Sequence, residues 1–466
     1  MLGVPIAHGV LHTLNLRLHP HEIAFIANHA EDRFLIVDDV LLPTFEKFKD
    51  QVKFERIFVV PFCGTAAGAA KPAAPTPPGT ESYEEFLNSA PGDFHYLDID
   101  ENDAAALCFT SGTTGNPKGV LYSHRAIVLH SFASATVDGF AISQRDTVLP
   151  ISPMFHANAW GIPFTSVMVG AKIVYAGPNV DPESLLDLIE SEQVTMSCAV
   201  PTVWLGVLAA LEKNPGRWNL QHNVHVACGG TAPPEAMIRR LDQYGFHVTH
   251  LWGMTETAPL ATTGGIRGHM LDWSGDEKYR VRASQGWACP FIELRVRAGS
   301  DIAPCDGKTP GELEIRGPWV ASSYYNAPET ANRWTEDGWF KTGDMATLDE
   351  DGYLRIVDRG KDMIKSGGEW ISSVDLENAI MGHPDVREAA VVAVPHPKWQ
   401  ERPLAVVVPK PGAKITPEEL REFLAPKFAK WQLPDAIVFA EEIPRTSVGK
   451  FQKIKLRQQF SNWKWE

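Results

Sequence analysis

The chain has 466 residues, more than one hydrophobic core usually serves, so at least two domains are expected. With 44% hydrophobic and 21% charged residues it is typical of a soluble globular enzyme, and no apolar run is long enough to span a bilayer. A net charge of −14 argues against a nucleic-acid-binding protein, because nucleic acids select basic surfaces, although local lysines can still bind small anions.

Short apolar runs rich in β-branched residues alternate with helix-like segments along the first 250 residues. Strands are predicted at 35–38, 57–60, 105–110, 172–176, 195–199, 224–228 and 248–250. Asp181 followed by Pro182 is a typical helix start. Nearly continuous apolar strands between helices predict an α/β fold, with layered, mostly parallel sheets covered by helices on both faces. Residues 64–80, rich in Ala, Pro and Gly, are predicted to form a flexible surface loop.

The pattern changes after Gly311. Strands are predicted at 312–315 and 352–357, which indicates a β-rich subdomain at the end of the large domain. Further strands are expected at 389–394 and 404–408, with a helix at 374–381 and another from Thr416, where Thr-Pro-Glu-Glu has capping-box spacing. We therefore predict a large N-terminal domain, 1–360, and a small mobile α+β domain, 361–466.

The cysteines and the N-terminal residues indicate in which cellular compartment the protein is expected. The six cysteines are Cys63, Cys108, Cys198, Cys228, Cys289 and Cys305. None has CxxC spacing, which argues against a zinc site or a disulfide framework and favours buried thiols in a reducing compartment. No basic segment followed by an apolar stretch opens the sequence, so a secretory signal is not expected and the cytoplasm is predicted.

The strongest motif is TSGTTGNPKG at 110–119, directly after a predicted strand. Glycines and small hydroxyls let backbone N–H groups approach a phosphate, and the lysine adds a positive charge. A Walker A loop is excluded, because Pro117 stands where its second glycine should be and Gly119 follows the lysine. A glycine-rich loop alone could equally be a plain turn, but this ten-residue string is far more specific.

The string resembles the phosphate-binding signature of the adenylate-forming superfamily, which holds acyl-CoA synthetases, luciferases and peptide-synthetase adenylation domains. Six further segments resemble motifs of that superfamily in the same order: 154–160, 229–233, 252–256, 342–344, 358–362 and 444–450. The likeness is greatest to bacterial medium- and long-chain fatty-acyl-CoA synthetases, notably at 365–372 and 396–399. The resemblance implies an AMP-forming acid–thiol ligase that uses ATP, Mg²⁺ and coenzyme A.

The resemblance also implies site residues. ATP phosphates are expected on Thr110, Ser111, Gly112, Thr113, Thr114, Gly115 and Lys118. The adenosine is expected on Gly230, Thr231, Trp252, Asp344 and Arg359, with Trp252 stacked on adenine and Asp344 on the ribose hydroxyls. The catalytic residues are expected to be Thr255, Glu256 and Lys450, and the Mg²⁺ ligands Thr110 and Glu256. Lys450 would bridge the carboxylate of the acid and the α-phosphate.

The acid is expected on His156, Trp160, His250 and Leu251, with Trp160 as a gate to an acyl tunnel. Lys361, Lys365 and Trp370 are expected on the coenzyme A side. Lys361 would also be the pivot about which the small domain rotates between the two reactions.

Each of these residues also has an ordinary structural interpretation. Asp344 could be a turn residue, Glu256 a solvated charge at a helix start, and Lys450 an exposed lysine. Trp160 is as readily a core residue as a gate, and His156 a structural histidine.

Alternative functions also remain. The runner-up acid is a short or substituted one such as 3-methylthiopropionate, and an inactive acyl-adenylate-binding pseudoenzyme is more remote. A peptide-synthetase adenylation domain is disfavoured, since no carrier domain follows Lys450.

The start of the sequence departs from the family pattern. Family members carry several dozen residues before the point that matches Met1, including, in some bacterial relatives, part of a dimer contact. Leu16 also replaces a usual proline after Asn15. We therefore expect exposed apolar surface near the start, and a homodimer is a further expectation.

Overall fold

The computed structural model describes residues 1–61, 77–110, 116–177, 179–220, 223–360, 362–366, 369–446 and 449–465, with only the backbone at Arg359 and Trp370. Several predictions fall outside these residues. They concern Cys63, most of the loop 64–80, the phosphate-loop residues 111–115, and the pivot Lys361.

The helices are numbered in chain order. They are α1 (Gly3–Ile6), α2 (Pro20–His29), α3 (Leu42–Phe45), α4 (Tyr83–Ser89), α5 (His124–Ala135), α6 (Ala157–Trp160), α7 (Ile162–Val169), α8 (Pro182–Ser191), α9 (Pro201–Lys213), α10 (Glu235–Asp242), α11 (Gly275–Arg282), α12 (Ser373–Met381), α13 (Pro417–Leu424) and α14 (Lys453–Gln459). Short 3₁₀ turns lie at Asp39–Leu41, Lys49–Gln51, Thr255–Thr257, Gly268–Met270, Pro328–Arg333 and Lys430–Gln432.

The strands are numbered in the same way. They are β1 (Leu11–His12), β2 (Phe34–Asp38), β3 (Arg56–Val60), β4 (Glu81–Ser82), β5 (Ala104–Phe109), β6 (Gly119–Ser123), β7 (Thr147–Pro150), β8 (Lys172–Ile173), β9 (Met196–Ala199), β10 (Val224–Cys228), β11 (Phe246–Gly253), β12 (Leu260–Thr263), β13 (Trp287–Ala288), β14 (Glu293–Ala298), β15 (Asp301–Ile302), β16 (Gly311–Arg316), β17 (Phe340–Leu348), β18 (Leu354–Arg359), β19 (Ile364–Ser366), β20 (Glu369–Ile371), β21 (Val386–His396), β22 (Gln400–Pro409) and β23 (Ala436–Phe439).

A seven-stranded sheet in the described residues forms the centre of the fold, in the order β13-β12-β11-β10-β9-β7-β8. The five strands from β8 to β11 run parallel to their neighbours, whereas β12 and β13 are antiparallel. The parallel strands are almost wholly buried, for example Val224 and Val226 at 0% exposure. Burial on both faces explains why such strands read as continuous apolar runs. The predicted strand at 172–176 is shorter than expected, because only Lys172 and Ile173 pair with β7.

Two smaller sheets precede the central one. Strand β5 lies between β1 and β6, and β3 lies between β2 and β4. Strands β5 and β6 form an antiparallel hairpin, with Phe109 opposite Gly119. This hairpin carries the glycine-rich motif at its tip.

A third region consists of antiparallel strands in the order β15-β14-β16-β17-β18, the predicted β-rich subdomain. After it, β20-β19-β22-β21 form a separate sheet, with β23 beside β22. Helices α12 and α13 contribute Leu376 and Leu420, both at 0% exposure, to the core of this last sheet. The α/β fold class is confirmed by this layout, whereas a division at 360/361 stays a prediction.

Local signals in the sequence account for several helix boundaries. The Asp181 side chain accepts a hydrogen bond from the Ser184 N–H at 3.0 Å, which caps α8. Thr416 and Glu419 form the predicted capping box at the start of α13. Along the described residues, no helix combines the length and the apolar character needed to cross a membrane.

The cysteines of the described ranges are free thiols. Cys108, Cys198, Cys228 and Cys289 are buried as predicted, and burial raises the pKa of Cys198 to about 12. Cys305 is exposed, so the expectation of buried thiols is wrong at this position.

Candidate active site

A cleft of about 670 Å³ brings together residues that the motifs place far apart in the sequence. Its lining includes these predicted site residues: Thr110, Lys118, His156, Trp160, Thr255, Glu256 and Lys450. A second cavity, of about 240 Å³, is lined by the predicted adenosine and acid residues Gly230, Thr231, His250, Leu251, Trp252 and Asp344. Lys450 lines both cavities.

The base of the phosphate loop is closed by two hydrogen bonds at the end of the β5–β6 hairpin. The Thr110 N–H donates to the Lys118 carbonyl at 2.9 Å. The Lys118 N–H donates to Thr110 Oγ1 at 3.1 Å. Thr110 and Lys118 therefore lie side by side, and both line the larger cleft.

Glu256 is a buried carboxylate, 5% exposed, in the 3₁₀ turn that follows β11. The Tyr324 hydroxyl donates to its Oε1 atom. The Ala321 N–H donates to the Glu256 carbonyl at 2.8 Å, and the Tyr122 hydroxyl donates to the Thr255 carbonyl at 2.6 Å. The interpretation of Glu256 as a solvated charge at a helix start is therefore wrong, because its carboxylate is fixed inside the cleft.

Trp252 and Asp344 come from different sheets and meet at the second cavity. The indole Nε1–H of Trp252 donates to Asp344 Oδ2 at 3.2 Å. Asp344 is 3% exposed, and its N–H donates to Thr342 Oγ1 at 3.0 Å. Asp344 also lies opposite Arg359 in the β17–β18 register. Asp344 is therefore a buried residue of β17, and its interpretation as a turn residue is wrong.

Trp160 is carried by a left-handed turn. Five consecutive residues have positive φ, from 40° at Ala157 through 60° at Trp160 to 69° at Gly161. Such a conformation costs about 1–2 kcal/mol for each residue with a Cβ atom, so packing must hold it. The Asn158 amide helps by donating to Thr13 Oγ1 at 3.3 Å.

The turn buries the Trp160 indole, which is 2% exposed. A Cβ atom on Gly229 would lie 2.7 Å from Trp160 Cη2, so the loop after β10 fits the indole only with glycine at this position. The rings of His156 and Trp160 meet edge to face, with centroids 6.2 Å apart. Burial, and next the charge of Lys450, lowers the pKa of His156 to about 3, so the imidazole is neutral at physiological pH.

His250 and Leu251 are buried in β11, at 2% and 1% exposure. His250 Nδ1 is 2.9 Å from the Ala283 carbonyl, which assigns the proton to Nδ1. Burial lowers the pKa of His250 to about 4 against the opposing effect of this bond. Both residues line the second cavity, next to Trp252.

Lys450 lies in a tight turn after β23. The Thr446 N–H donates to the Lys450 carbonyl at 2.7 Å, and the Lys450 N–H donates to Thr446 Oγ1 at 3.1 Å. A Cβ atom on Gly230 would lie 3.7 Å from Lys450 Cε. The lysine stem therefore packs against the loop after β10, and the interpretation of Lys450 as an exposed surface lysine is wrong.

One residue predicted on the coenzyme A side, Lys365, lies outside both cavities. Lys365 is exposed on β19, and its backbone N–H donates to Glu401 Oε2 at 2.8 Å. Trp370 pairs with Lys365 in the β19–β20 register. In this arrangement Lys365 does not line either cavity.

Tyr324 and Arg333 are among the residues of the larger cleft that lie outside the motifs. Tyr324 supports Glu256, as described above, and Arg333 Nη2–H donates to the carbonyls of Lys341 at 2.7 Å and Thr342 at 3.1 Å. Arg333 thus fixes the strand just before Asp344. The adjacent tyrosines at 324 and 325 in a stretch otherwise rich in small and polar residues were the available signal for the first.

Comparison with known proteins agrees with this geometry. The family model of the AMP-binding enzyme matches residues 1–325, and that of the AMP-binding enzyme C-terminal domain matches 375–450. The chain is 50% identical to a long-chain-fatty-acid–CoA ligase of Thermus thermophilus over 99% of its own length and 83% of the relative. It is 44% identical to a 3-methylmercaptopropionyl-CoA ligase of Ruegeria pomeroyi, over 98% and 84%.

Among solved structures, ATP-bound MatB from Rhodopseudomonas palustris superposes with a TM-score of 0.80 at 26% identity. The match covers 98% of this chain and 85% of that one. The chain therefore belongs to the AMP-binding enzyme family, which confirms the adenylate-forming superfamily predicted from its ordered motifs.

Proposed function

We propose that this protein is an AMP-forming fatty-acid–CoA ligase. The observation that carries the proposal is the position of Lys450, whose side chain lines both the cleft that holds Thr110 and Glu256 and the cavity that holds Trp252 and Asp344. A reaction that joins a carboxylate to the α-phosphate needs a positive charge between the phosphate site and the adenosine site, and Lys450 would supply it. The presence of all these groups in one site argues against an inactive adenylate binder.

The first half-reaction is attack of a carboxylate oxygen on the α-phosphorus of ATP, which forms a P–O bond as pyrophosphate leaves. Two anions must meet, so catalysis consists mainly of positioning and charge neutralisation. The ammonium group of Lys450 would contact both anions. Trp252 would stack on the adenine while Asp344 accepts hydrogen bonds from the ribose hydroxyls.

Mg²⁺ would be held by the Thr110 hydroxyl and the Glu256 carboxylate. Both are oxygen donors, as this hard cation prefers, and both line the larger cleft. The bond from Tyr324 leaves the second oxygen of Glu256 for the metal. Bound there, Mg²⁺ would neutralise charge on the phosphates.

The second half-reaction is attack of the coenzyme A thiol on the acyl carbonyl carbon, which forms a thioester as AMP leaves. Lys450 occupies the site where the thiol must arrive, so we propose that residues 361–466 rotate about Lys361 between the two steps. This rotation would withdraw Lys450. It would also bring the β19–β20 hairpin, which carries Lys365 and Trp370, to the site.

A straight-chain fatty acid is the proposed substrate because the residues expected to contact the acid are either apolar side chains or neutral histidines. Phe155 and Trp160 line the larger cleft, Leu251 lines the smaller one, and the nearby His156 is neutral. The name of the Thermus relative supports this choice. The name of the Ruegeria relative keeps 3-methylthiopropionate as the second candidate.

An AMP-release assay over acids from propionate to palmitate, with 3-methylthiopropionate and an aryl acid included, tests the proposal. We expect kcat/KM to rise with chain length by about 0.8 kcal/mol for each buried methylene until the pocket is filled. An advantage of tenfold or more for 3-methylthiopropionate or the aryl acid over every fatty acid would select the alternative.

We further propose a cytoplasmic homodimer. The four buried thiols and the absence of a disulfide among the described cysteines support a reducing compartment. Sedimentation velocity and fluorescence imaging of a tagged chain test the two points separately.

A further inference from the structure

Four polar side chains are buried together between the strand that leads to Lys361 and the helix that follows Lys450. These residues, called here the Asp358 cluster, are Asp358, Ser373, Glu377 and Lys453. Asp358 and Ser373 are 1% and 0% exposed. The side chains of Lys453 and Glu377 are 11% and 9% exposed. Buried groups of this kind persist only where each is hydrogen-bonded or paired.

Ser373 is the centre of the cluster. Its N–H and Oγ–H donate to Asp358 Oδ2 at 2.8 and 2.5 Å, so the carboxylate caps the first turn of α12. The same Oγ accepts a hydrogen bond from Lys453 Nζ at 2.6 Å. Lys453 Nζ also lies 2.7 Å from Glu377 Oε1. Asp358 is thus linked to Lys453 through one hydroxyl.

The charges in the cluster depend on one another. Burial raises the pKa of Asp358, and Lys453 with the two donors of Ser373 opposes that rise. Burial would lower the pKa of Lys453, but Glu377 and Asp358 outweigh it and raise the pKa. A carboxylate removed from water is costly unless it is paired, so Asp358 stays buried only while α12 and Lys453 remain beside it.

The cluster joins the two sides of the proposed domain boundary. Asp358 precedes Lys361 in the sequence, whereas the other three residues follow it. Lys453 is the first residue of α14, three positions beyond Lys450. One turn further along this helix, Arg457 pairs with Asp362. The helix attached to the catalytic turn is therefore held to the chain on both sides of the pivot.

We infer that Ser373 and Lys453 are positioning residues, which bind Asp358 across the boundary and so keep Lys450 in the cleft during adenylation. The inference rests on the proposed function and its two conformations. Rotation about Lys361 would separate Asp358 from Ser373, so these contacts favour the adenylation conformation alone. Weakening them should impair the first half-reaction and spare the second. A network that merely stabilises the fold would affect both alike.

The test measures the half-reactions separately in Ser373→Ala and Asp358→Asn. Without coenzyme A, we expect pyrophosphate release to fall at least tenfold in both variants. With acyl-AMP and coenzyme A supplied, thioester formation should stay within about twofold of the wild type, since Lys450 is not needed there. Asp435→Asn is the control, because Asp435 pairs with buried Arg402 at 2.6 Å and makes no described contact with the Asp358 cluster.

Parallel losses in the two half-reactions, or pyrophosphate release like that of the wild type, would overturn the inference. If Ser373→Ala does not fold, Asp358→Asn decides, since it keeps the shape of the side chain, removes the charge and replaces one acceptor oxygen with an NH₂ donor. Failure of this inference can be distinguished from failure of the proposed function. Failure of the wild type to release pyrophosphate with any acid would refute the ligase, whereas an active wild type with unaltered variants refutes the positioning role alone.

Discussion

Trp252 and Asp344 are joined by a hydrogen bond of 3.2 Å between the indole Nε1 and the carboxylate Oδ2. Trp252 lies in β11 of the central sheet, and Asp344 lies in β17 of the antiparallel sheet. The residue expected to stack on adenine therefore also orients the residue expected to bind the ribose. A Phe at position 252 would keep the stacking surface and lose this bond.

We accordingly predict that Trp252→Phe weakens ATP binding by about 0.5–1.5 kcal/mol, or roughly two- to thirteenfold, because one hydrogen bond to the carboxylate expected on the ribose is lost. Trp204→Phe is the matched control, since this indole is fully buried in α9 and its Nε1 has no partner among the described residues. Isothermal titration with a non-hydrolysable ATP analogue gives the affinities. Equal effects of the two substitutions would mean that the bond to Asp344 does not matter.

Lys450→Ala should separate the two chemical steps. Loss of the ammonium group should abolish acyl-AMP formation, since nothing else would bridge the acid and the α-phosphate, while supplied acyl-AMP is still converted to acyl-CoA. Pyrophosphate release and thioester formation are measured in separate assays. A parallel loss in both would contradict a role confined to the first step.

Lys361→Pro should have the opposite effect. Proline fixes φ near −65° at the proposed pivot, so the chain should form acyl-AMP and stall before the thioester. If Lys361 is an ordinary linker residue, the proline would impair both half-reactions equally or neither. Comparison with Lys450→Ala in the same two assays makes the outcome unambiguous.

Trp160→Ala distinguishes a gate from a core residue. The indole is 2% exposed and contacts the Gly229 loop, so its removal should lower stability by about 3–5 kcal/mol if packing is its main role. A gate would instead give an altered chain-length profile in a protein that remains folded. Melting temperature and acid preference are measured on the same sample. An unchanged profile with a large drop in melting temperature refutes the gate.

His250 predicts a pH dependence of stability. Its pKa is about 4 in the folded chain, below the ordinary value near 6.5 expected on unfolding. The folded state therefore binds fewer protons below pH 6.5, and stability falls as the pH falls from there towards 4. Relative to His250→Asn, the wild type should lose up to about 1.4 kcal/mol per pH unit below 6.5.

Urea unfolding of both proteins at pH 7, 6 and 5 tests this. The buried histidines His130 and His156 titrate in both proteins, so the difference isolates His250. A difference that does not change with pH would show that the pKa of His250 is the same in the folded and unfolded states.

The elements that were predicted correctly are those determined by residues close together in the sequence. The apolar run at 224–228 becomes β10, and Thr416 with Glu419 forms the expected capping box. The sequence did not predict the left-handed turn at 157–161, where only Gly161 favours positive φ. The other four residues carry a Cβ atom and adopt this conformation because packing holds them in it. Tertiary packing overrode local preference there.

Contacts in the site between residues far apart in the chain could not be predicted from the sequence either. The motifs named Glu256, Trp252 and Asp344. They did not predict that the Tyr324 hydroxyl bonds Glu256 or that Trp252 bonds Asp344. These partners are 68 and 92 residues apart in the chain. The fold alone decides which polar groups meet over such separations.

Among the described residues, Lys450 is the charged side chain that lines both cavities, and this has a consequence for inhibitor chemistry. A single molecule that spans the two cavities would pass this ammonium group. A linker with a delocalised negative charge at that point would attract the ammonium group, whereas a neutral linker of equal length would not. The charge of the linker should therefore decide affinity more than the length of the acyl tail.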